Sequence, residues 1–330
     1  MNATTASPVR IDHDELVLGP VTVRFMRTLR IPEDGLSSLP PGLGTFPLRR
    51  VADYPDTAPP EWLAQGGVML PMYQREALWL DFGADEPAAL QVGIGKVSAI
   101  SGEAWSETLQ RTPQDYVTLP EQPWLDGINA GDGLIRQFVA VPMGSGATVE
   151  AEVTGAETVG GIQLRAVGLT REALEKYERD INRRAMAFHL NEALLGAVAC
   201  MAAPPDPSMG LGAGGRMRQE IYEDDRPASN YDESRCWRVF VHLCSAAQWA
   251  AITGELPPRS PVDRDEYTRA GLPWFDYFDK DERDLPAPES LVRVRPVGEI
   301  LGLPDDGVVA APPGQVVQLK DARGVVDGVW

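Results

Sequence analysis

The residues from Gln122 to Val167 restrict what this chain can fold into more than any other stretch. They read QPWLDGINAGDGLIRQFVAVPMGSGATVEAEVTGAETVGGIQLRAV. Val149, Ala151 and Val153 oppose Glu150 and Glu152, and Ile162, Leu164 and Ala166 oppose Gln163 and Arg165. A period of two is what a strand with one dry and one wet face requires. The run before them, Leu134 to Val141, is apolar on both parities except at Arg136 and Gln137, as an inner strand would be. Glycine-rich links, Met143 to Gly146 and Gly155 to Gly160, are short enough to join neighbours as an antiparallel meander. The expectation is an α+β, β-rich fold of antiparallel meanders and sandwich-like sheets, with one long helix and a few short ones.

A chain of 330 residues exceeds the usual single core. We expect a loose N-terminus (1–15), a β-rich region (16–168) and an α+β region (169–330), the last two either separate or forming one elaborated domain. Apolar content of 43% excludes disorder. The net charge of −18, with only four lysines among 30 basic residues, repels phosphate backbones and argues against nucleic-acid binding. Cys200, Cys236 and Cys244 have no CxxC spacing, so neither a disulfide framework nor a zinc site is expected. The N-terminus lacks the pattern of a signal peptide, and the longest apolar run, Ala193 to Ala203, is about half of what spans a bilayer. A soluble, cytoplasmic protein is expected, with no membrane partner.

Along the chain, Val21, Val23 and Phe25 share one parity of a strand, and Leu78 to Phe82 suits another. Gly93 and Gly95 mark a bulge within ALQVGIGKVSAI, whose GIGK lacks the spacing of a phosphate-binding loop. The long helix is predicted from Thr170, its N-cap, to about Ala202. Leu174, Leu195 and Val198 lie on its apolar face, Glu175–Arg179 and Asp180–Arg184 on its wet side, and prolines follow from Pro204. Ser245 caps a short helix ended by Gly254, and Asp263 caps another ended by Gly271. Leu291 to Val294 reads as a short strand. Gln315 to Lys320 and Val325 to Trp330 read as a closing hairpin.

Several constellations bear on function. Gly210, Gly212 and Gly215 satisfy G-x-G-x-x-G, but the prolines before them rule out the strand that a dinucleotide fingerprint needs. What survives is a glycine-rich turn. Gly210, Gly212, Gly214 and Gly215 either cradle an anion with Arg216 and Arg218, or simply let the backbone pass close to a neighbour. The anion reading needs an extended RMRQEIY with both arginines on one side and Met217, Gln219 and Ile221 on the other. Trp124 with Asp126, and Trp274 with Phe275, Asp276 and Tyr277, place aromatics beside acids in loops, where sugar or peptide sites can form. His189 and Glu192 lack a second pair to complete a metal site, and the acids from Asp276 to Asp284 lack the order of a calcium loop. His242 and Cys244 alternate on a strand, too far apart to form a hydrogen-bonded pair, so His242 is expected to be structural. No cofactor or metal is expected.

Six phrases carry a family resemblance: PMYQREALWLDF (71–82), QPWLDGI (122–128), RQFVAVPMGSG (136–146), MGLGAGGRMRQEIY (209–222), ITGELPP (252–258) and GLPWFDYF (271–278). Together, across residues 68 to 280, the chain resembles an uncharacterised family of bacterial proteins, some labelled "integral membrane protein", and related fungal chains with ubiquitin-like segments. The family has no established activity, so the resemblance implies no catalytic residues. The long helix at 170–202 departs from its pattern, and the membrane label finds no support in these residues.

The expected function is a binding or interaction module for an unknown small-molecule or protein ligand. The alternative is a hydrolase-like enzyme using loop carboxylates around the central meander, with Asp126, Asp132 and Glu150 as its acids. Two of those acids in one pocket would favour the enzyme.

Overall fold

The computed structural model describes residues 9–185, 208–261, 264–269, 274–276, 283–303 and 316–318. The first part of the chain forms β1 (Arg10–Asp12), β2 (Glu15–Leu18), β3 (Val21–Thr28), β4 (Leu36–Ser37), β5 (Gly42–Thr45), β6 (Arg49–Arg50) and helix α1 (Pro60–Gln65). Then come β7 (Val68–Met72), β8 (Ala77–Ala84), β9 (Ala88–Ile94), β10 (Val97–Ser98), β11 (Tyr116–Leu119), β12 (Trp124–Leu125), β13 (Gly127–Gly131) and β14 (Leu134–Pro142). Helix α2 (Val149–Thr154), β15 (Ile162–Leu169), α3 (Arg171–Ala185), β16 (Met209–Arg218), β17 (Tyr231–Ser245) and α4 (Ala246–Thr253) follow. The last described elements are α5 (Arg264–Arg269), β18 (Trp274–Asp276), α6 (Glu289–Val292), α7 (Val297–Leu301) and β19 (Val316–Gln318).

β1 to β17 join in one hydrogen-bonded, mainly antiparallel sheet, while β18 and β19 form a separate parallel pair. One wing runs β2-β3-β8-β14-β16 and the other β7-β17-β15-β9-β11, with Met209 opposite Leu243 joining them. Both wings feed one core. Val21, Val23, Phe25, Leu78 and Leu80 come from the first, and Leu90, Val92, Ile162, Leu164 and Val241 from the second. The alternation read in the sequence is what buries them, since each of these strands turns one parity inward. β15 pairs with β9 on one side and β17 on the other, so the sheet runs across the 168/169 boundary. Part of the segment expected to be loose, Arg10–Asp12, pairs with β2.

The expected meander is corrected at its second link. Residues 149–153 are not a strand but part of α2. Thr148 is its N-cap, accepting from the Ala151 N–H at 3.1 Å, and Gly155 ends it in the left-handed conformation. Five alternating residues fit either period when a cap stands at one end and a glycine at the other. As a result β14 and β15 are not neighbours: β14 pairs with β8, β13 and β16. Leu291–Val294 is corrected likewise, because Glu289–Val292 forms helix α6 after Pro288. Gly95 and Lys96 form the two-residue turn of a strand pair, β9–β10.

Thr170 caps α3 through its hydroxyl, which accepts from the Ala173 N–H, and Glu175 pairs with Arg171 and Arg179. Helix α3 is described only to Ala185, so Leu195, Val198, His189 and the predicted end near Ala202 lie outside the described residues. Outside them too lie Asp263, Gly271 and the second strand of the predicted closing hairpin. Ser245 and Gly254 bound α4 as the sequence predicts. Among the described residues, no helix is long and apolar enough to cross a membrane.

Candidate functional site

β8 turns Leu78, Leu80 and Phe82 into the core, and so sends Trp79 and Asp81 to its other face. β12 lies antiparallel beside it, with Trp124 opposite Asp81, so Trp124 stands on the same face. Asp126 follows two residues later. Across from them, Leu39 exchanges two backbone hydrogen bonds with Phe275 (2.8 and 3.0 Å), which brings β18 against the Leu39–Gly42 segment. The Thr28 hydroxyl donates to the Pro41 carbonyl and fixes the same segment to β3.

These elements enclose a pocket of about 220 Å³ lined by Trp79, Trp124, Phe275, Pro40, Pro41 and Asp126, with Leu39 and Gly42 at its side. Asp126 is the one charged residue of the lining. It is 6% exposed, and its backbone N–H donates to Gln219 Oε1 at 2.8 Å. Burial pushes its carboxyl up to about 7, offset in part by a hydrogen bond from the Trp124 side chain. Its Oδ2 is buried without a hydrogen-bond partner.

Half-buried Glu121 shares that feature at its Oε2, but among the fully buried acids it is confined to Asp126. Six acidic side chains are buried among the described residues: Glu33, Glu76, Asp115, Asp126, Glu150 and Asp224. Glu76 accepts from Arg27 and the Tyr73 N–H, and Glu33 accepts from the Gly298 N–H on both oxygens. Asp115 accepts from Gln91 and the Gln110 N–H, and Glu150 from Thr158, Val159 and Gly160. Asp224 accepts from Tyr116, Tyr231 and the Arg226 N–H. In each of those five both oxygens are satisfied. A buried carboxylate oxygen left bare is costly, and the fold gains nothing visible from it.

Two larger clefts offer less. One of about 620 Å³ has Arg111, Gln114 and Asp224 in its lining, where Arg111 pairs with Asp224 and Gln114 donates to the Tyr116 and Tyr222 carbonyls. The other, of about 480 Å³, is bordered by Arg50 and Arg238, paired with Asp53 and Glu107.

Of the residues singled out in the sequence, Trp124 and Asp126 meet in the pocket. Trp274 does not. It is 3% exposed and packs edge-on against Tyr267, and its neighbour Phe275 takes the lining position by alternation. The Asp276 backbone pairs with Gln318. Trp79 was missed, although its place on the polar parity of ALWLDF was a readable signal. Asp132 is exposed at the β13–β14 turn, and Glu150 is spent on the loop after α2, so neither joins Asp126.

The glycine segment is a strand, not a turn. Gly210, Gly212, Gly214 and Gly215 lie on β16, buried and closely approached on all sides. A Cβ at Gly212 would meet the Ala147 carbonyl at 2.5 Å, and one at Gly215 the Pro32 carbonyl at 1.8 Å. Gly214 and Gly215 together oppose Gln137 as a bulge. Beyond them Arg216 and Arg218 are exposed on one side, with Met217, Gln219 and Ile221 buried on the other. Arg216 stands opposite Arg136 on β14.

His242 is buried, stacked on Trp62 at 4.5 Å, and its Nε2 bonds the Gly66 carbonyl at 2.8 Å. Burial holds its pKa down at about 4. The Cys244 thiol donates to the Leu70 carbonyl, and burial pushes its pKa far up. Among the described residues no cluster of three metal-ligating side chains occurs. Comparison with models of known families, with curated proteins and with solved structures finds no match for this chain.

Proposed function

We propose that this protein is a soluble binding module whose ligand site is the pocket at Trp79, Trp124, Asp126 and Phe275. The observation that carries this reading is a hollow walled by Trp79, Trp124, Phe275 and two prolines, with Asp126 as the one charged residue of its lining. Concave, mostly apolar and aromatic-lined hollows with a few polar groups are the usual form of a ligand site, and this one, at about 220 Å³, is at the small end. The enzyme reading has less support, because Asp126, Asp132 and Glu150 do not share any of the three pockets described above.

The test is a panel of small amines, sugars, proline-rich peptides and inorganic anions, read by thermal shift and by the indole resonances of the tryptophans. At least one compound should move the Trp124 resonance and raise the melting temperature of wild type, with both effects lost in Trp124→Ala. A panel that leaves the tryptophan resonances still refutes the assignment.

A second reading has one observation behind it. Arg136 and Arg216 face each other across the ladder, and Arg136 Nη1 is buried with no partner. Burial, with Arg216 beside it, lowers the Arg136 pKa, while Glu33 and Glu299 act in the opposite direction. A phosphate or carboxylate group bridging the two guanidiniums would relieve that repulsion. The sulfate and phosphate members of the same panel decide it, since their stabilisation should vanish in Arg216→Ala.

A further inference from the structure

The cleft bordered by Arg50 and Arg238 lies apart from the aromatic pocket and differs from it in size and charge. It opens where β7 begins. Val68 is paired with Val241, and β17 extends beyond that pair through Phe240, Val239 and Arg238 with no residue of β7 alongside. Gly67 turns the chain aside there in the left-handed conformation (φ +86°), and a Cβ on it would meet the Phe240 carbonyl at 2.2 Å. β6 carries Arg50 to the same place by pairing it with Val68. On the other side β1, paired with β2, supplies Arg10 and Ile11. The space between them is about 480 Å³, within the roughly 300–1,000 Å³ usual for a small-molecule site.

Its charge is what distinguishes this cleft. The lining holds Arg10, Arg50 and Arg238, with Gln65 and Gln163 and no acid. The chain carries 48 acidic residues against 30 basic ones, so a lining with positive charges alone runs against its composition. The cleft of about 620 Å³ follows that composition, with Glu103, Glu223, Asp224 and Glu289 against Arg111 and Arg293.

The three arginines keep donors in reserve. The Arg10 side chain is exposed and has no hydrogen-bond or ion-pair partner among the described residues. Arg50 spends Nε and Nη2 on Asp53, and Arg238 spends Nη1 on Glu107. Arg50 Nη1 and Arg238 Nε and Nη2 therefore have no partner among the described residues. Both ion pairs are exposed, and exposed pairs are weak enough to yield to a competing anion. The forked guanidinium matches the oxygens of a carboxylate or a phosphate. Beside these charges the wall is apolar: Val9 and Ile11 are half-buried against the core, and Val239 and Phe240 reach the cleft from β17. A bare inorganic ion leaves that wall wet, whereas a ligand with an apolar body covers it.

We propose that this cleft is a binding site for a small organic anion, whose carboxylate or phosphate lies among Arg10, Arg50 and Arg238 while its apolar body covers Ile11 and Phe240. The site is additional to the aromatic pocket and does not depend on it. The overall charge of −18 opposes an anion at long range, but inside the cleft the lining's charges are all positive. Salt at about 0.1 M screens the distant field beyond about 10 Å.

The experiment is titration calorimetry on the full chain in two arms, 3-phenylpropionate for carboxylates and phenyl phosphate for phosphate esters. The arm that binds more tightly identifies the head group. 3-Phenylpropanol and 3-phenylpropylamine keep the apolar body without the negative charge, and acetate and inorganic phosphate keep the charge without the body. All four should bind about tenfold more weakly than the better anion, or weaker still. Arg10→Gln, Arg50→Gln and Arg238→Gln should each weaken that anion about threefold, and the last two together about tenfold. These side chains are exposed, so the variants should fold, which circular dichroism checks. Ile11→Ala is the second kind of variant, and should weaken the organic anion while leaving inorganic phosphate unchanged.

Equal binding of the neutral alcohol, an unchanged affinity in the double arginine variant, or no binding in either arm up to about 10 mM overturns the proposal. Loss of binding in Trp124→Ala, or in Arg216→Ala, would place the anion in the aromatic pocket or beside Arg136, and overturns it as well. Failure here leaves the aromatic pocket standing, because the two share no lining residue.

Discussion

Replacing Asp126 by asparagine should shift stability in the variant's favour as pH rises from 4 to 8. The ordinary value of an aspartate carboxyl is 3.8, and burial takes that of Asp126 to about 7 in the folded chain. Below pH 4 both folded and unfolded chains hold the proton, and ionisation costs nothing. Between pH 4 and pH 7 the folded chain holds a proton that the unfolded chain has released. Stability therefore falls as pH rises through that window, and above pH 7 the full cost is present. At about 1.4 kcal/mol for each pH unit of difference, the cost approaches about 4 kcal/mol. The asparagine side chain has nearly the same shape and never ionises. The asparagine amide carries two N–H donors where the protonated acid carries one O–H, so the change in the difference with pH, not its value at pH 4, is the quantity to read. The assay is urea unfolding of both proteins at pH 4, 6 and 8. Between pH 4 and pH 8 the difference should move in the variant's favour by about 2–4 kcal/mol. Other titrating groups are common to both chains and drop out of the difference. Parallel stability curves across the three pH values would show that the Asp126 carboxyl is solvated or paired in solution, and would refute the reasoning from its burial.

Two further outcomes test the packing. Gly215→Ala puts a methyl 1.8 Å from the Pro32 carbonyl, and the backbone there cannot retreat, because Gln137 holds both the Ile31 N–H and the Leu29 carbonyl. It should destabilise by about 3 kcal/mol, read as a lower urea midpoint at constant slope. His242 keeps its neutral form down to about 4 against an ordinary 6.5. Its contribution is present above pH 6.5 and is lost as pH falls through 4, about 3 kcal/mol in all. His242→Phe, which keeps the stack on Trp62, should flatten the acid side of the stability curve by that amount.

The strands were legible where alternation was long and tied to a dry face. Val21, Val23 and Phe25, or Ile162, Leu164 and Ala166, each bury one parity as written. Alternation over five residues was not enough at Val149–Val153, where Thr148 and Gly155 specify a helix instead. The glycines of β16 misled for a different reason. Local sequence reads Gly-x-Gly as a turn, but here the glycines answer a non-local demand, namely how near Pro32, Ala147 and Val139 come to the strand. No feature within residues 209–215 reports that nearness.

The pocket combines both situations. Trp124 and Asp126 are two apart and could be flagged together, because an aromatic beside an acid is visible in a string. Trp79 and Phe275 join them from 45 and 151 residues away, through a ladder and through a bridge to Leu39 that leave no local trace. What the sequence could not carry at all is the contrast among the buried acids. Asp126 resembles Glu76 or Asp224 as a letter, and all three are buried. Glu76 is offset by Arg27 and Asp224 by two tyrosines, and these are contacts across 49, 108 and 7 positions. Only the assembled sheet shows that Asp126 has no such offset for Oδ2.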